Sequence, residues 1–315
     1  MKKGEIEEYI DKYQPHMKHY YGYHISNSDL KREIENEKIS CIQMFLSSPR
    51  NGIMTEKTKE KYINDGVNIK RMLKQNNKIL FIHSAYVLNF AKDNVIKDDE
   101  DWSQCSWIKS ILTELEVAHY IGAQGCIIHV GKSLNNDMDE CINNMYNGIK
   151  YVLNEIIKNK YSSKLILETG AGQGTEMLCN INNFLEFYRN IIKDKRYKRH
   201  FKICVDTCHI FASGYNIKRK ENSIKLFQKI EEMVGLSSIA LIHLNDSKKD
   251  CCSKVDRHET LGEGYIGKNG ISMIIMLSYL SRVPLILETY EDKYEQDINM
   301  INNVIERVKR MIKDI

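Results

Sequence analysis

Residues 203–209 read ICVDTCH: an apolar run from Phe201 to Val205 stops at an acid, Asp206, and a histidine, His209, follows three residues on. The run has the length and composition of a buried strand, so a single strand end offers two metal-type ligands. The pattern recurs along the chain. ILFIH ends at His83, CIIH at His129, LILE at Glu168, ALIH at His243 and PLILE at Glu288. Six apolar runs that finish on His, Asp or Glu suit a closed parallel barrel, whose catalytic groups gather at the carboxyl ends of its strands.

The segments between these runs read as helices. Ser28–Lys38 follows a first strand, Tyr20–Ile25, which ends near His24. A second strand, Ile39–Phe45, leads into the loop LSSPRNG with Arg50, and Thr55 is placed to N-cap a long amphipathic helix. In Trp107–Gly122, residues Ile108, Ile111, Leu112, Leu115 and Ala118 recur at helical spacing. Further helices are expected over Met138–Lys158, Ile181–Ile192, Ile271–Leu280 and Glu295–Lys313, with a long polar loop from the seventh strand to Gly264. Eight strand–helix units in alternation give the fold class α/β and a single (β/α)8 barrel over residues 20–315. Residues 1–19 form an extension without clear periodicity.

Composition narrows the setting. A chain of 315 residues can bury the core of one such barrel, and a formal charge of +4 permits a polyanionic partner without demanding one. Nine cysteines form no CxxC pair and several lie in apolar strands, as reduced intracellular thiols do. No signal peptide or membrane-length apolar run is present in the sequence, so a soluble intracellular protein is expected.

Adding His209, Asp256 and His258 to the strand-end groups gives four carboxylates and five imidazoles. That set exceeds one tetrahedral site, and mixed imidazole and carboxylate donors suit zinc or manganese better than magnesium or calcium. Two or three ions are expected, an arrangement suited to activating water for phosphoryl displacement. A folding-only account fits any single His at a strand end, but it must also place carboxylates at Glu168, Asp206 and Glu288 directly after apolar runs, at a desolvation cost. The loop TGAGQG has neither GxxxxGK[ST] nor GxGxxG spacing, so it reads as a tight turn needing positive φ rather than a nucleotide cradle. The basic run at 193–200 joins a helix to the sixth strand on the opposite face of the barrel and reads as a solvated turn.

HLNDSK (243–248), DRHETLGEGYIG (256–267), ETGAGQG (168–174) and CVDTCHIFASGY (204–215) resemble the signature segments of the endonuclease IV family of apurinic/apyrimidinic endonucleases. With HISNS from His24 and HSAYVLNF (83–90), the resemblance covers about Tyr21 to Glu288. It departs from the family pattern at SNSDL after His24, where relatives carry a glycine pair, and at 46–52, which contains Pro49.

The resemblance implies a three-zinc DNA repair enzyme on a TIM barrel. His83, His129 and Glu168 would hold the first zinc; Glu168 would bridge to a second completed by Asp206, His243 and Glu288; His209, Asp256 and His258 would hold the third, with manganese in part of the sites. The implied reaction, within base excision repair, cuts duplex DNA 5′ to an abasic site to leave a 3′-hydroxyl and also trims blocked 3′ ends. Tyr86, Arg50 and His24 would contact the DNA. A monomer with no protein partner is expected. Two rivals stand beside this reading: a metal-dependent sugar isomerase or epimerase on a similar barrel, for which the third ligand group is surplus, and a non-catalytic abasic-DNA binder with structural zinc, for which the open ligand positions are unexplained.

Overall fold

The computed structural model describes residues 19–92, 102–134 and 136–313. Except for His19, the expected N-terminal extension lies outside these residues. Strands β1 (Tyr21–Ile25), β2 (Cys41–Phe45), β3 (Ile79–His83), β4 (Gly125–Ile128), β5 (Lys164–Glu168), β6 (Phe201–Asp206) and β7 (Ile239–His243) come first in the chain. Two short strands, β8 (Asp246–Ser247) and β9 (His258–Glu259), precede β10 (Leu285–Leu287). Strands β1–β7 and β10 close into a parallel barrel in the order β1-β10-β7-β6-β5-β4-β3-β2. The sequence placed these strands to within a few residues of their ends.

Period-two alternation explains why the runs are apolar on both faces. Outward residues such as Leu80, Ile82, Leu165, Leu167, Ile203 and Val205 are buried under the helices. The inward residues Cys41, Phe81, Ile127, Ile166, Cys204, Leu241 and Ile286, one from each strand except β1, pack together as a plug inside the barrel. At β1 the corresponding residue is Gly22, and a Cβ there would lie 1.8 Å from the Cys41 carbonyl oxygen, so no side chain fits. The plug means that the barrel is a core and not a pore, and that anything two residues further along each strand is lifted above it.

The helices are α1 (Leu30–Glu35), α2 (Glu56–Gln75), α3 (Ser106–Ile121), α4 (Met138–Lys158), α5 (Ile181–Ile192), α6 (Thr207–Ala212), α7 (Lys220–Met233), α8 (Gly267–Ser281) and α9 (Tyr294–Lys313). Thr55 caps α2 as expected, with Thr58 N donating to its hydroxyl oxygen at 3.2 Å. Tyr62, Gly66, Ile69 and Leu73 form its buried stripe. In α4 the buried stripe includes Ile149, Val152, Leu153 and Ile156, and covering each such side chain contributes about 1.5–3 kcal/mol before conformational entropy is subtracted.

Three local features differ from the sequence reading. The first helix stops at Glu35 and not Lys38, because Asn36 leaves helical geometry at ψ 108 and its side chain accepts from Lys38 N at 3.0 Å. The segment after β6 holds two helices, the short α6 and then α7, for which the sequence yielded no range. The long loop after β7 is partly ordered by β8 and β9, which pair antiparallel with Ser247 opposite His258. The loop TGAGQG does use left-handed backbone, with Gly172 at φ +83 and Gly174 at φ +63. No helix of the described residues is long and apolar enough to cross a membrane.

Candidate metal centre

One residue pair beyond the plug, the eight strands present His24, Gln43, His83, His129, Glu168, Asp206, His243 and Glu288 at the carboxyl end of the barrel. Glu168, Asp206 and His243 are fully buried, and His83 nearly so. Glu168 lies at the centre of this ring. Its Oε2 is 3.4 Å from His83 Nε2 and 3.6 Å from His129 Nε2, while its Oε1 is 2.6 Å from His243 Nδ1. His243 Nδ1 is in turn 3.3 Å from Glu288 Oε2 and 3.8 Å from Asp206 Oδ2.

The third group is built by two loops. Asp206 N-caps α6 by accepting from His209 N at 2.7 Å, so the DxxH spacing spans one helical turn and brings His209 back beside Asp206. Asp256 Oδ1 is 3.3 Å from His209 Nε2 and 3.2 Å from His258 Nε2. Asp256 is itself held from the glycine-rich loop, where Gln173 Oε1 accepts from its backbone N–H at 3.0 Å.

Backbone carbonyls orient the imidazoles. His83 Nδ1 donates to Ser84 O at 2.8 Å, His209 Nδ1 to Thr169 O at 2.7 Å and His258 Nδ1 to Glu288 O at 3.2 Å. A carbonyl only accepts, so in each ring Nδ1 carries a proton and Nε2 is the atom turned toward the cluster.

Charge in the ring is strongly coupled. Burial disfavours the ionised form of Glu168, but the His243 imidazole, itself raised well above its ordinary value, outweighs it and holds the carboxyl well below the usual range. Burial opposes Glu288 in the same way, and His243 holds it at about 2. His258 is pushed up to about 9 despite burial, through Asp256 and Asp206. His129 is lowered to about 4 by burial and is therefore a neutral donor at pH 7. Asp256 is likewise held well below the usual carboxylate range against burial, by His209 and His258, whereas burial raises Asp206. Carboxylates crowded into a buried site require compensating positive charge, and divalent cations compete with imidazole protons for that role.

Two atoms test whether the residues fit such cations. His129 Nε2 and Glu168 Oε2 are buried without a hydrogen-bond partner, and they face each other at 3.6 Å. A buried polar atom without a partner costs about 1–3 kcal/mol. Together with His83, these donors lie within 4.8 Å of one another, as do those of Asp206, His209 and His258. The donor set fits imidazole- and carboxylate-binding divalent metals.

The structure therefore brings all nine expected ligand residues into one site. The residues expected to touch DNA separate into two places. Tyr86 is 57% exposed on the loop after β3, edge-on to His83 and His129, with ring centroids 5.6 and 5.5 Å away. Arg50 is exposed in the neighbouring loop, which is joined to the first where Tyr86 N donates to Pro49 O at 3.0 Å. His24 instead belongs to the inner ring, against Phe45 and 3.0 Å from the Gln43 amide nitrogen.

Sequence reasoning missed Gln43 and Asn245. Asn245 Nδ2 donates to Asp206 Oδ2 at 2.7 Å, and its Oδ1 accepts from Glu288 N at 2.9 Å. A search for His, Asp and Glu at strand ends passes over amides, although period-two counting from Cys41 reaches Gln43. The exposed rim side chains Ile53, Leu134, Tyr265 and Tyr290 were missed as well, because nothing in the sequence separates them from core residues.

The fold and the ring define a class, the xylose isomerase-like TIM barrels, and the sequence model of that family matches residues 32–309. The chain is 32% identical over 287 residues to a putative endonuclease 4 of Acanthamoeba polyphaga mimivirus, covering 89% of this chain and 88% of the relative. It is 30% identical over 274 residues to a probable endonuclease 4 of Petrotoga mobilis, covering 86% and 91%. Endonuclease IV of Thermus thermophilus superposes with a TM-score of 0.70 at 21% identity, covering 91% of this chain and 99% of that one. The chain belongs to the endonuclease 4 family of nucleases.

Proposed function

We propose that the protein is a zinc-dependent repair endonuclease that hydrolyses the phosphodiester 5′ to an abasic site in duplex DNA, leaves a 3′-hydroxyl, and also trims blocked 3′ ends. The observation that carries this reading is the convergence of three His and carboxylate groups around Glu168, in a chain of the endonuclease 4 family. His83, His129 and Glu168 would hold one ion; Glu168, Asp206, His243 and Glu288 a second; His209, Asp256 and His258 a third. Bound there, zinc ions would lower the pKa of a water and stabilise both the attacking and the leaving oxygen of an in-line displacement, with manganese able to fill part of the sites.

The chain's own groups supply position. Glu168 directs one oxygen to His83 and His129 and the other to His243, so a single carboxylate fixes the spacing of two ligand groups. Asp206 uses Oδ1 for the α6 cap and keeps Oδ2 toward His243 and His258. At the rim, Tyr86 offers a π face beside the ring where a base is missing, and extruding a nucleotide costs least where nothing is stacked or paired. Arg50 stands next to it as a cation for the phosphate backbone. The third ligand group favours this reaction over sugar isomerisation, which needs no more than two ions.

Primer extension tests the reaction. The protein is incubated with a duplex carrying one abasic analogue, and a DNA polymerase is then added. A cut on the 5′ side whose end the polymerase extends supports the proposal. An end that cannot be extended contradicts it.

A further inference from the structure

Gln43 is the one member of the inner ring that is neither an acid nor an imidazole, and its side chain is fully buried. A buried primary amide is costly unless both N–H groups and its oxygen find partners. Here every partner is a side chain of the site. The Gln43 amide nitrogen donates to Glu288 Oε1 at 2.6 Å and to His24 Nδ1 at 3.0 Å, and Gln43 Oε1 accepts from His243 Nε2 at 2.8 Å.

The orientation of this amide is not arbitrary. A carboxylate accepts only, so the NH2 end must face Glu288, and the oxygen is left for His243. An amide oxygen likewise accepts only, so the ring proton that a metal ion would displace is the one on Nδ1, 2.6 Å from Glu168 Oε1, while Nε2 of His243 stays protonated. Its Nδ1 then faces Glu168, Glu288 and Asp206. His243 is thereby opposite in sense to His83, His209 and His258, whose backbone-bound Nδ1 leaves Nε2 for the site.

We propose that Gln43 is a positioning residue of the metal centre: its amide sets the His243 tautomer, so that Nδ1 is the ligand atom, and at the same time fixes Glu288 as the neighbouring ligand. The inference rests on the metal-centre reading above and adds to it the group that organises the second ion's ligands. His24 closes the chain, because its Nδ1 takes the remaining amide proton and keeps the amide from rotating. A partner that orients a ligand in this way contributes about 10–100-fold to metal affinity.

Zinc content and histidine tautomers together test this. Wild type and Gln43→Met, which matches the side chain in length but can neither accept nor donate strongly, are compared by zinc per chain and by competition with a chromophoric chelator. The expected result is that Gln43→Met releases one zinc per chain at a free zinc concentration at least about tenfold higher than that at which wild type does. Wild-type affinity in folded Gln43→Met overturns the inference. Long-range proton–nitrogen NMR of zinc-loaded wild type gives a readout that needs no variant. A His243 ring protonated on Nε2 and liganded through Nδ1 is expected, and the reverse overturns the inference even if Gln43→Met does not fold. Wild type that holds no tight zinc overturns the metal-centre reading itself, which separates the two failures.

Discussion

Glu168 Oε1 lies 2.6 Å from His243 Nδ1, while its other oxygen faces His83 at 3.4 Å and His129 at 3.6 Å. One fully buried carboxylate thus joins two ligand groups that come from opposite sides of the barrel. That position makes it the residue on which the geometry of the ring depends most.

Glu168→Gln keeps the volume but removes the charge and one acceptor. Cleavage is expected to fall by about 10³-fold or more, the scale of losing a principal electrostatic element of a site. Zinc per chain should fall with it. Thermal stability measured in chelator should fall too, by about 3–5 kcal/mol, because the buried His243 imidazole loses the carboxylate 2.6 Å away. Near wild-type cleavage in this variant contradicts the bridging role.

Asp246 holds the loop that delivers Asp256 and His258. Its carboxylate accepts from the backbone N–H groups of Ser247, Gly262, Gly264, Ile266 and Gly267, at 2.7–3.3 Å. Asp246→Ala leaves those buried donors without their acceptor and should cost about 3 kcal/mol or more. A calorimetric melt measures this, and zinc analysis should show loss at the third group before the other two. A melt unchanged from wild type contradicts the assignment.

Tyr86 touches the ring only by its edge and is more than half exposed. Tyr86→Ala should retain all its zinc and weaken binding to an abasic duplex by about 1–3 kcal/mol, the range for a base-stacking aromatic. Fluorescence anisotropy with an intact duplex as control reads the difference. Unchanged affinity for the abasic duplex removes Tyr86 from the DNA interface.

His19 gives a pH signature away from the metals. Its Nε2 bonds Ser278 Oγ and Val283 O at 3.0 Å, and burial lowers its pKa from 6.5 to about 4. Above pH 6.5 the ring is neutral in both states and its contribution is complete. As pH falls from 6.5 toward 4, the unfolded chain takes up the proton first and stability drops by about 1.4 kcal/mol per pH unit from this group. Chemical denaturation of wild type and His19→Gln across that window should show the shallower slope in the variant. Equal slopes contradict a buried neutral His19.

Most of the barrel was legible because its strands are apolar runs that end on polar groups, and that pattern depends only on the chain's own period. Six of the nine ligand-type residues were legible for the same reason, while His209, Asp256 and His258 stood out only as the DxxH and DRH groupings beside those strand ends. Gln43 was not: it sits inside β2, two residues before the strand ends, and its role appears only when closure brings Glu288, His24 and His243 around it. Asn245 likewise gains its meaning from Asp206 and Glu288, which are remote in sequence. The helices α6 and α7 escaped because α6 begins inside the DTCH motif itself, where ligand spacing and helix signal coincide. His24 lies one residue before the end of β1, and the alternation that turns Gly22 inward turns it toward Gln43 and into the ring. The rim aromatics Tyr265 and Tyr290 resemble any other apolar residue until the loops that hold them are placed.

The central claim is that the ring around Glu168 cuts abasic DNA only when it holds divalent metal. The most direct measurement is single-turnover cleavage of a duplex with one abasic analogue, after dialysis against a strong chelator and again after zinc is restored. A single cut 5′ to the analogue that disappears in chelator and returns with zinc is the predicted result. An equal cut in chelator, or no cut by protein shown to carry its zinc, contradicts the claim.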